Sequence, residues 1–249
     1  MKFYVLASGS KGNCSLIVSN DTVIMLDCGC SKKYILDSLK SVGYDVSDID
    51  ALLLTHSHTD HIRSIEAFQN LPIYASFEVM NRRDEMEVVP YQEFNIKDIR
   101  VMPIALSHDT ESCIGYVFND GKETLVYVTD TGYVSEKNIS YIMDADYYIF
   151  ESNHDIPMLM ATRRPQFLKA RIISNYGHLC NEEAAQILSR CIGKNTKEIV
   201  LAHISEEANT QDMAYNSLLH ELHLIQYPVQ NLKIYAAGQY QIIKGGDLK

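Results

Sequence analysis

The chain has 249 residues, a formal net charge of −10 and 46% hydrophobic residues. That apolar share excludes wholesale disorder, and no apolar run approaches the roughly 20 residues that span a bilayer. The acidic balance argues against a basic protein that coats nucleic acid.

The opening MKFYVLASGSKGNC carries one Lys and a short apolar run that soon meets Gly, Lys and Asn, so it reads as a first strand rather than an export signal. Apolar runs bounded by Gly, Asn, Asp or Ser follow. FYVLA, SLIVS, TVIMLD, ALLLTH, LPIYA, IRVMPIAL, CIGYVF, TLVYVTD and DYYIFES are rich in Val, Ile, Tyr and Phe and predict strands. KEIVLAH and LKIYAA predict two late ones. Ser31 can cap a helix carrying Ile35, Leu36, Leu39 and Val42, ended near Gly43. Ile62, Ile65 and Phe68 predict a helix beginning near His61. Ala184, Ala185, Ile187, Leu188 and Cys191 predict one from about Asn181 to Gly193, and another lies near Met213 to Ile225. The charge cluster from Asn81 to Glu87 reads as a solvated loop or helix face. With no internal repeat, low-complexity tract or Gly/Ser/Pro linker, the pattern predicts one α/β domain over residues 1–249.

The six cysteines, Cys14, Cys28, Cys30, Cys113, Cys180 and Cys191, are thinly spread. Only Cys28 and Cys30 are close, and C-x-C cannot form an ordinary unstrained disulfide. Reduced thiols in a cytoplasmic chain are expected.

The strongest chemical signal is Thr55-His56-Ser57-His58-Thr59-Asp60-His61, directly after the strand ALLL. In an extended segment His56 and His58 point to the same side and can share one metal. Asp60 and His61 are adjacent at a helix start and can turn toward a second. Imidazole and carboxylate suit zinc, with manganese or iron as alternatives.

H-x-H-x-D-H after a strand resembles the hallmark of the metallo-β-lactamase superfamily. The resemblance implies a four-layer αβ/βα sandwich of two mixed β-sheets flanked by helices. It also implies further ligands just past strand ends. His108 in LSHD would join His56 and His58 on the first metal; Asp130 in TDTG would bridge; His203 in LAHIS would join Asp60 and His61 on the second. Asp27 in LDCG resembles a position that orients a ligand His rather than binding metal. The turn Gly9-Ser10-Lys11-Gly12-Asn13 does not match a nucleotide-binding glycine pattern.

Superfamily members do different chemistry, so the fold alone does not decide the reaction. Glu151 in FESNHD, then His178 in YGHLCNEEAA, then LAHIS follow the order found in tRNase Z-like nucleases. There the Glu positions the His, and the His assists the departing oxygen. ASGSKGNC, DCG, THSHTDH, LSHD, TDTG, ESNHD, LKARIISNYGHLCNEEAA and LAHISEEANT together resemble the YycJ/WalJ-type 5′–3′ exonucleases, over residues 6 to about 210. Departures are Cys28 and Cys30 where Ala or Leu is usual, and Cys180 where Ser is common.

The resemblance implies a cytoplasmic, binuclear metal-dependent phosphodiesterase acting on double-stranded DNA and linked to repair. Two divalent ions, zinc or manganese, would be its cofactors. Asp60 would also handle the nucleophile's proton, and His178, held by Glu151, would protonate the leaving oxygen. Arg163, Arg164, Lys169 and Arg171 lie between Glu151 and His178 and are expected to contact substrate phosphates. An RNA-processing nuclease, a metallo-hydrolase of a small cyclic phosphodiester or thioester, and a non-catalytic metal-binding regulator remain open. His154 has no assigned role, and His220 and His223 read as helix-surface residues.

Overall fold

The computed structural model describes residues 1–79 and 86–247. Two seven-stranded sheets carry the chain. The first takes β1 (Lys2–Ala7), β2 (Cys14–Ser19), β3 (Thr22–Leu26), β4 (Ala51–Leu53), β5 (Ile73–Ala75) and β6 (Met86–Glu87) in that order. The second runs through β7 (Phe94–Ile96), β8 (Ile99–Ala105), β9 (Ile114–Asn119), β10 (Thr124–Val128), β11 (Tyr147–Glu151), β12 (Glu198–Ala202) and β13 (Lys233–Ala236). The last strand, β14 (Ile243–Gly246), returns to pair antiparallel with β1. Each sheet is mixed. β1 to β3 and β7 to β10 are antiparallel hairpins, whereas β3 to β6 and β10 to β13 are parallel.

The sheets pack face to face because their central strands are apolar on both sides, as doubly covered strands must be. Ile24 and Leu26 of β3 meet Tyr116, Leu125, Tyr127 and Ile149 of the second sheet in a shared core. The alternate residues Val23 and Met25 face outward under α1 (Lys32–Ser41), where Ile35 and Leu39 cover them. On the far side, Val126, Tyr148 and Phe150 pack under helices from the second half of the chain. This is the four-layer arrangement that the histidine motif led one to expect.

Ser31 caps α1 by accepting from Tyr34 N. The helix expected near His61 is broken. A single turn, α2 (Thr59–Ile62), is followed by a separate 3₁₀ turn at Ile65–Phe68. The reason is a competing backbone partner. Cys28 N takes the His61 carbonyl at 2.7 Å, and Ser64 N donates to the Cys28 carbonyl at 3.0 Å, so the helical ladder cannot continue.

Three short helices not evident from periodicity follow: α3 (Glu136–Ile142), α4 (Ile156–Ala161) and α5 (Gln166–Ile173). Asp155 caps α4 and Pro165 precedes α5. α6 (Asn181–Cys191) and α7 (Gln211–Leu224) lie where expected, and His220 and His223 are exposed on α7. The short edge strands β6, β7 and β14 were likewise not foreseen. Most of the charge cluster at 81–87 lies outside the described residues; Met86 and Glu87 form the exposed β6. All six cysteines are free and buried. No helix among the described residues is long and apolar enough to cross a membrane.

The C-terminal ends of β3, β4, β8, β10, β11 and β12 converge on one edge of the sandwich, and the segments just beyond them carry the chemistry.

Candidate metal centre

β4 delivers Thr55 and His56, and His58 stands at the N-terminus of α2, which holds Asp60 and His61. Gly29 lets this turn dock, since a Cβ there would collide with the Asp60 carbonyl. Asp27, Asp130 and His203, just past β3, β10 and β12, adopt left-handed φ of 57°, 61° and 54°. Such angles are uncommon outside glycine, and Asp and His are among the side chains that tolerate them. They turn the side chains inward from the strand ends.

The expected ligands come together. His56, His58 and His108 each offer one donor atom, and these atoms lie within 4.8 Å of one another. The same holds for His56, His61 and Asp130, and for Asp60, His61 and His203. Asp130 stands in the middle, with Oδ2 3.3 Å from His61 Nε2 and Oδ1 3.3 Å from His203 Nε2.

The imidazoles are held from behind through Nδ1. His61 Nδ1–H donates to Asp27 Oδ2 at 2.8 Å. His108 Nδ1–H donates to the Gly177 carbonyl at 3.1 Å, and His203 Nδ1–H to Glu151 Oε1 at 3.2 Å. His56 Nδ1 lies 3.1 Å from the Thr55 hydroxyl, which in turn donates to Asp27. Each bond fixes the tautomer that leaves Nε2 with its lone pair toward the centre. His56 Nε2, His203 Nε2 and Asp130 Oδ2 are buried with no hydrogen-bond partner. Buried acceptors that share a focus and lack donors fit a divalent cation.

The charge balance points the same way. Burial opposes protonation of His61, yet Asp27 and Asp130 raise its pKa well above the ordinary imidazole range. Burial also opposes protonation of His203, but Asp130 and Glu151 lift it to about 9. Burial would raise Asp130, whereas His203 and His61 hold it well below the usual carboxylate range. The carboxylates therefore draw positive charge into the site, as protons when no metal is bound.

This sets a test. A raised histidine pKa stabilises the fold fully below the unfolded value of 6.5 and loses that contribution as pH rises through the folded value. Metal-free protein is expected to lose thermal stability between about pH 6.5 and about pH 9. Metal-loaded protein, with cations in place of these protons, should not. Thermal midpoints with and without chelator measure this; parallel slopes would refute it.

Glu151, fully buried, is a hub. Its Oε1 accepts from Asp130 N (3.1 Å), His178 Nδ1 (2.8 Å) and His203 Nδ1; its Oε2 accepts from Thr131 N (3.1 Å) and Leu179 N (3.0 Å). Burial would raise it, but His178 and His203 bring it down to about 2. Glu151 also falls with Asp130, His178 and His203 in a group whose donor atoms lie within 4.8 Å of one another, but its two oxygens already accept five hydrogen bonds. The His178 ring, part-exposed, stands 5.0 Å from that of His108 and 5.1 Å from that of His203.

The basic segment divides. Arg171 Nε pairs with Asp109, whose other oxygen lies 3.3 Å from His108 Nε2. Arg171 is thus at the rim. Arg164 is bonded to Glu207 at 2.8 Å, and Arg163 is exposed. Lys169 corrects the expectation of a phosphate contact. It is buried, and its ammonium donates to the carbonyls of Met160 (2.6 Å) and Thr162 (2.9 Å), closing the C-terminal end of α4. His154 is buried with neither ring nitrogen bonded, and burial lowers it to about 4.

Three contributors were not read from sequence. Asn13 Nδ2 lies 2.9 Å from His61 Nε2 and donates to the Asp60 carbonyl. Thr55 links His56 to Asp27, and Asp109 sits beside two ring nitrogens. All three lie within quoted motifs, but only folding shows where their side chains turn.

Residues 22–204 match the family model described as the beta-lactamase superfamily domain. The chain is 35% identical over 231 residues to exodeoxyribonuclease YycJ of Bacillus anthracis, covering 88% of each protein. It is 31% identical over 236 residues to exodeoxyribonuclease WalJ of Streptococcus pneumoniae, covering 89% of this chain and 88% of the other. The crystal structure of the metallo-β-lactamase fold protein YhfI from Bacillus subtilis superposes with a TM-score of 0.73 at 19% identity, over 98% of this chain and 99% of that one. A converging His/Asp cluster on this edge of a two-sheet sandwich, with these relatives, places the chain in the metallo-β-lactamase superfamily as a metal-dependent hydrolase, in the group that includes YycJ and WalJ.

Proposed function

We propose that the protein is a binuclear metal-dependent phosphodiesterase, a 5′–3′ exonuclease on double-stranded DNA that serves DNA repair in the cytoplasm and works as a single domain. The observation that carries the reading is His178. It is an imidazole pinned through Nδ1 by a buried carboxylate, part-exposed, and placed beside a member of each ligand cluster, His108 and His203. That is what protonation of a departing alkoxide requires. The relatives named exodeoxyribonuclease support the substrate class.

In this reading His56, His58 and His108 would hold one divalent ion and Asp60, His61 and His203 a second, with Asp130 placed between the two sets. Zinc or manganese suits the set. When bound, such ions supply Lewis acidity toward the phosphate oxygens and make water nucleophilic near neutral pH. The chain's own residues do the rest. Asp27, Thr55, Gly177 and Glu151 lock the rings in productive tautomers. Asp60, part-exposed at the mouth, orients the nucleophile and takes its proton. His178 gives its Nε2 proton to the leaving oxygen while Glu151 stabilises the imidazolium. Arg171, released from Asp109, meets a phosphate of the incoming strand, with Arg163 and Arg164 further out.

The test is digestion of linear duplex DNA labelled at each end, with and without a 5′-phosphate, in added zinc or manganese, with Asp130→Ala as control. Progressive release from the 5′ end, absent in the control, is the expected result. Turnover of RNA or of a small phosphodiester but not of duplex DNA, in protein holding metal, would replace the substrate assignment.

A further inference from the structure

Beside His108 the surface opens into a cavity of about 370 Å³. Two aromatic rings from distant parts of the chain, Tyr133 and Tyr176, line it, 51% and 64% exposed. Isolated exposed aromatics are ordinary, but these are not isolated. Tyr133 follows Asp130 by three residues, and its loop is fastened to the His108 loop, with Gly132 N donating to the Ser107 carbonyl at 2.9 Å. Tyr176 precedes His178 by two, and its neighbour Gly177 is the residue whose carbonyl holds His108. Gly132 brings the two loops together, because any Cβ there would strike the backbone of Ser174 and Asn175. Both rings are therefore carried by loops that also position the metal centre.

The chemistry of the walls selects the occupant. Among the described residues they carry Glu111 and no Lys or Arg, so a phosphate is disfavoured there. Serine and threonine hydroxyls and the two rings favour a flat, uncharged, hydrogen-bonding group. The volume lies at the lower end of small-molecule sites, roughly 300–1,000 Å³. The contiguous His108 places the occupant next to the reacting phosphate.

We propose that Tyr133 and Tyr176 form a stacking platform for an unpaired nucleobase flanking the scissile phosphate. This rests on the nuclease reading above and deepens it. The phosphate goes to the metal side and the base to the tyrosine side. At a duplex end the base must leave its pair to reach the platform, so a mismatched terminal pair is cut faster than a matched one.

The experiment compares kcat/KM on duplex ends that are intact or abasic at each position flanking the cut, for wild type, Tyr133→Ala, Tyr176→Ala and the two Phe variants. One base–aromatic stack predicts a wild-type preference for the intact end of about 5- to 150-fold at one position. The Ala variants should bring that ratio close to unity and the Phe variants should restore it. An Ala variant that cuts DNA with the wild-type ratio, or a wild type indifferent to the missing base, overturns the platform and leaves the nuclease reading standing. Wild-type protein that holds metal yet cuts no nucleic acid overturns both.

Discussion

His178→Ala is expected to lower kcat on an unactivated phosphodiester by about 10²–10⁴-fold, the usual contribution of a positioned general acid. Metal content should stay intact, because the ligand set proposed above does not need this ring. Its side chain is part-exposed, and Glu151 keeps His203 and three backbone N–H donors when the ring is removed, so the fold should survive at some cost in stability. The loss should shrink on a substrate with a good leaving group, which departs without a proton. An activated p-nitrophenyl ester against DNA makes that comparison. Equal losses on the two substrates would mean that His178 acts by some route other than proton donation. Unimpaired turnover of DNA would remove it from the reaction.

Glu151→Ala should act on fold and site together. The carboxylate is fully buried and collects donors from Asp130, Thr131, Leu179, His178 and His203. Deleting it strands them, and breaking a buried charged pair costs about 3–5 kcal/mol. In a chain of this size that lowers the thermal midpoint of metal-free protein by about 6–20 °C. Loss of the partner that aims a ligand His weakens metal affinity by about 10–100-fold. Calorimetric melting and metal titration read the two effects separately. A variant with unchanged melting and unchanged affinity would show that the hub is dispensable. Glu151→Gln keeps the shape and one acceptor oxygen, so it should keep more stability than activity.

These two residues also show what a sequence can and cannot say. Glu151 and His178 are 27 residues apart, and their pairing could be expected only because the order of motifs resembled tRNase Z-like nucleases. Their 2.8 Å contact depends on β11 ending beside the loop before α6. His56, His58, Asp60 and His61 were legible directly, since a strand end followed by a tight turn fixes their geometry locally. His108, Asp130 and His203 could be picked out only because their places after apolar strands resembled the later motifs of the metallo-β-lactamase superfamily. Lys169 shows the limit. A basic residue between active-site motifs looked like a phosphate ligand, but it sits on the inward face of α5, and that orientation follows from packing of Ile172 and Leu159 that no local pattern displayed. The broken helix after His61 failed for a similar reason. Apolar spacing favoured one helix, and a backbone bond from Cys28, more than 30 residues away, took the carbonyl that would have continued it. Asn13 and Tyr176 lie inside quoted motifs and Tyr133 just after one, but none had a role there, and they gain meaning only from the loops they touch.

The left-handed backbone at Asp27, Asp130 and His203 bears on how such a site can change over generations. At each place two filters act on the same residue, one for a side chain that holds or aims a metal ligand, the other for a backbone that tolerates positive φ. Few residue types pass both. Asn passes the second but lacks the charge that the first demands at Asp130, and it lies a single base change from Asp. Inactive but well-folded descendants are therefore close neighbours of this sequence, whereas Glu, which keeps the charge, meets the conformational barrier. Drift at these strand ends should favour loss of chemistry with retention of fold over conversion to a different carboxylate ligand.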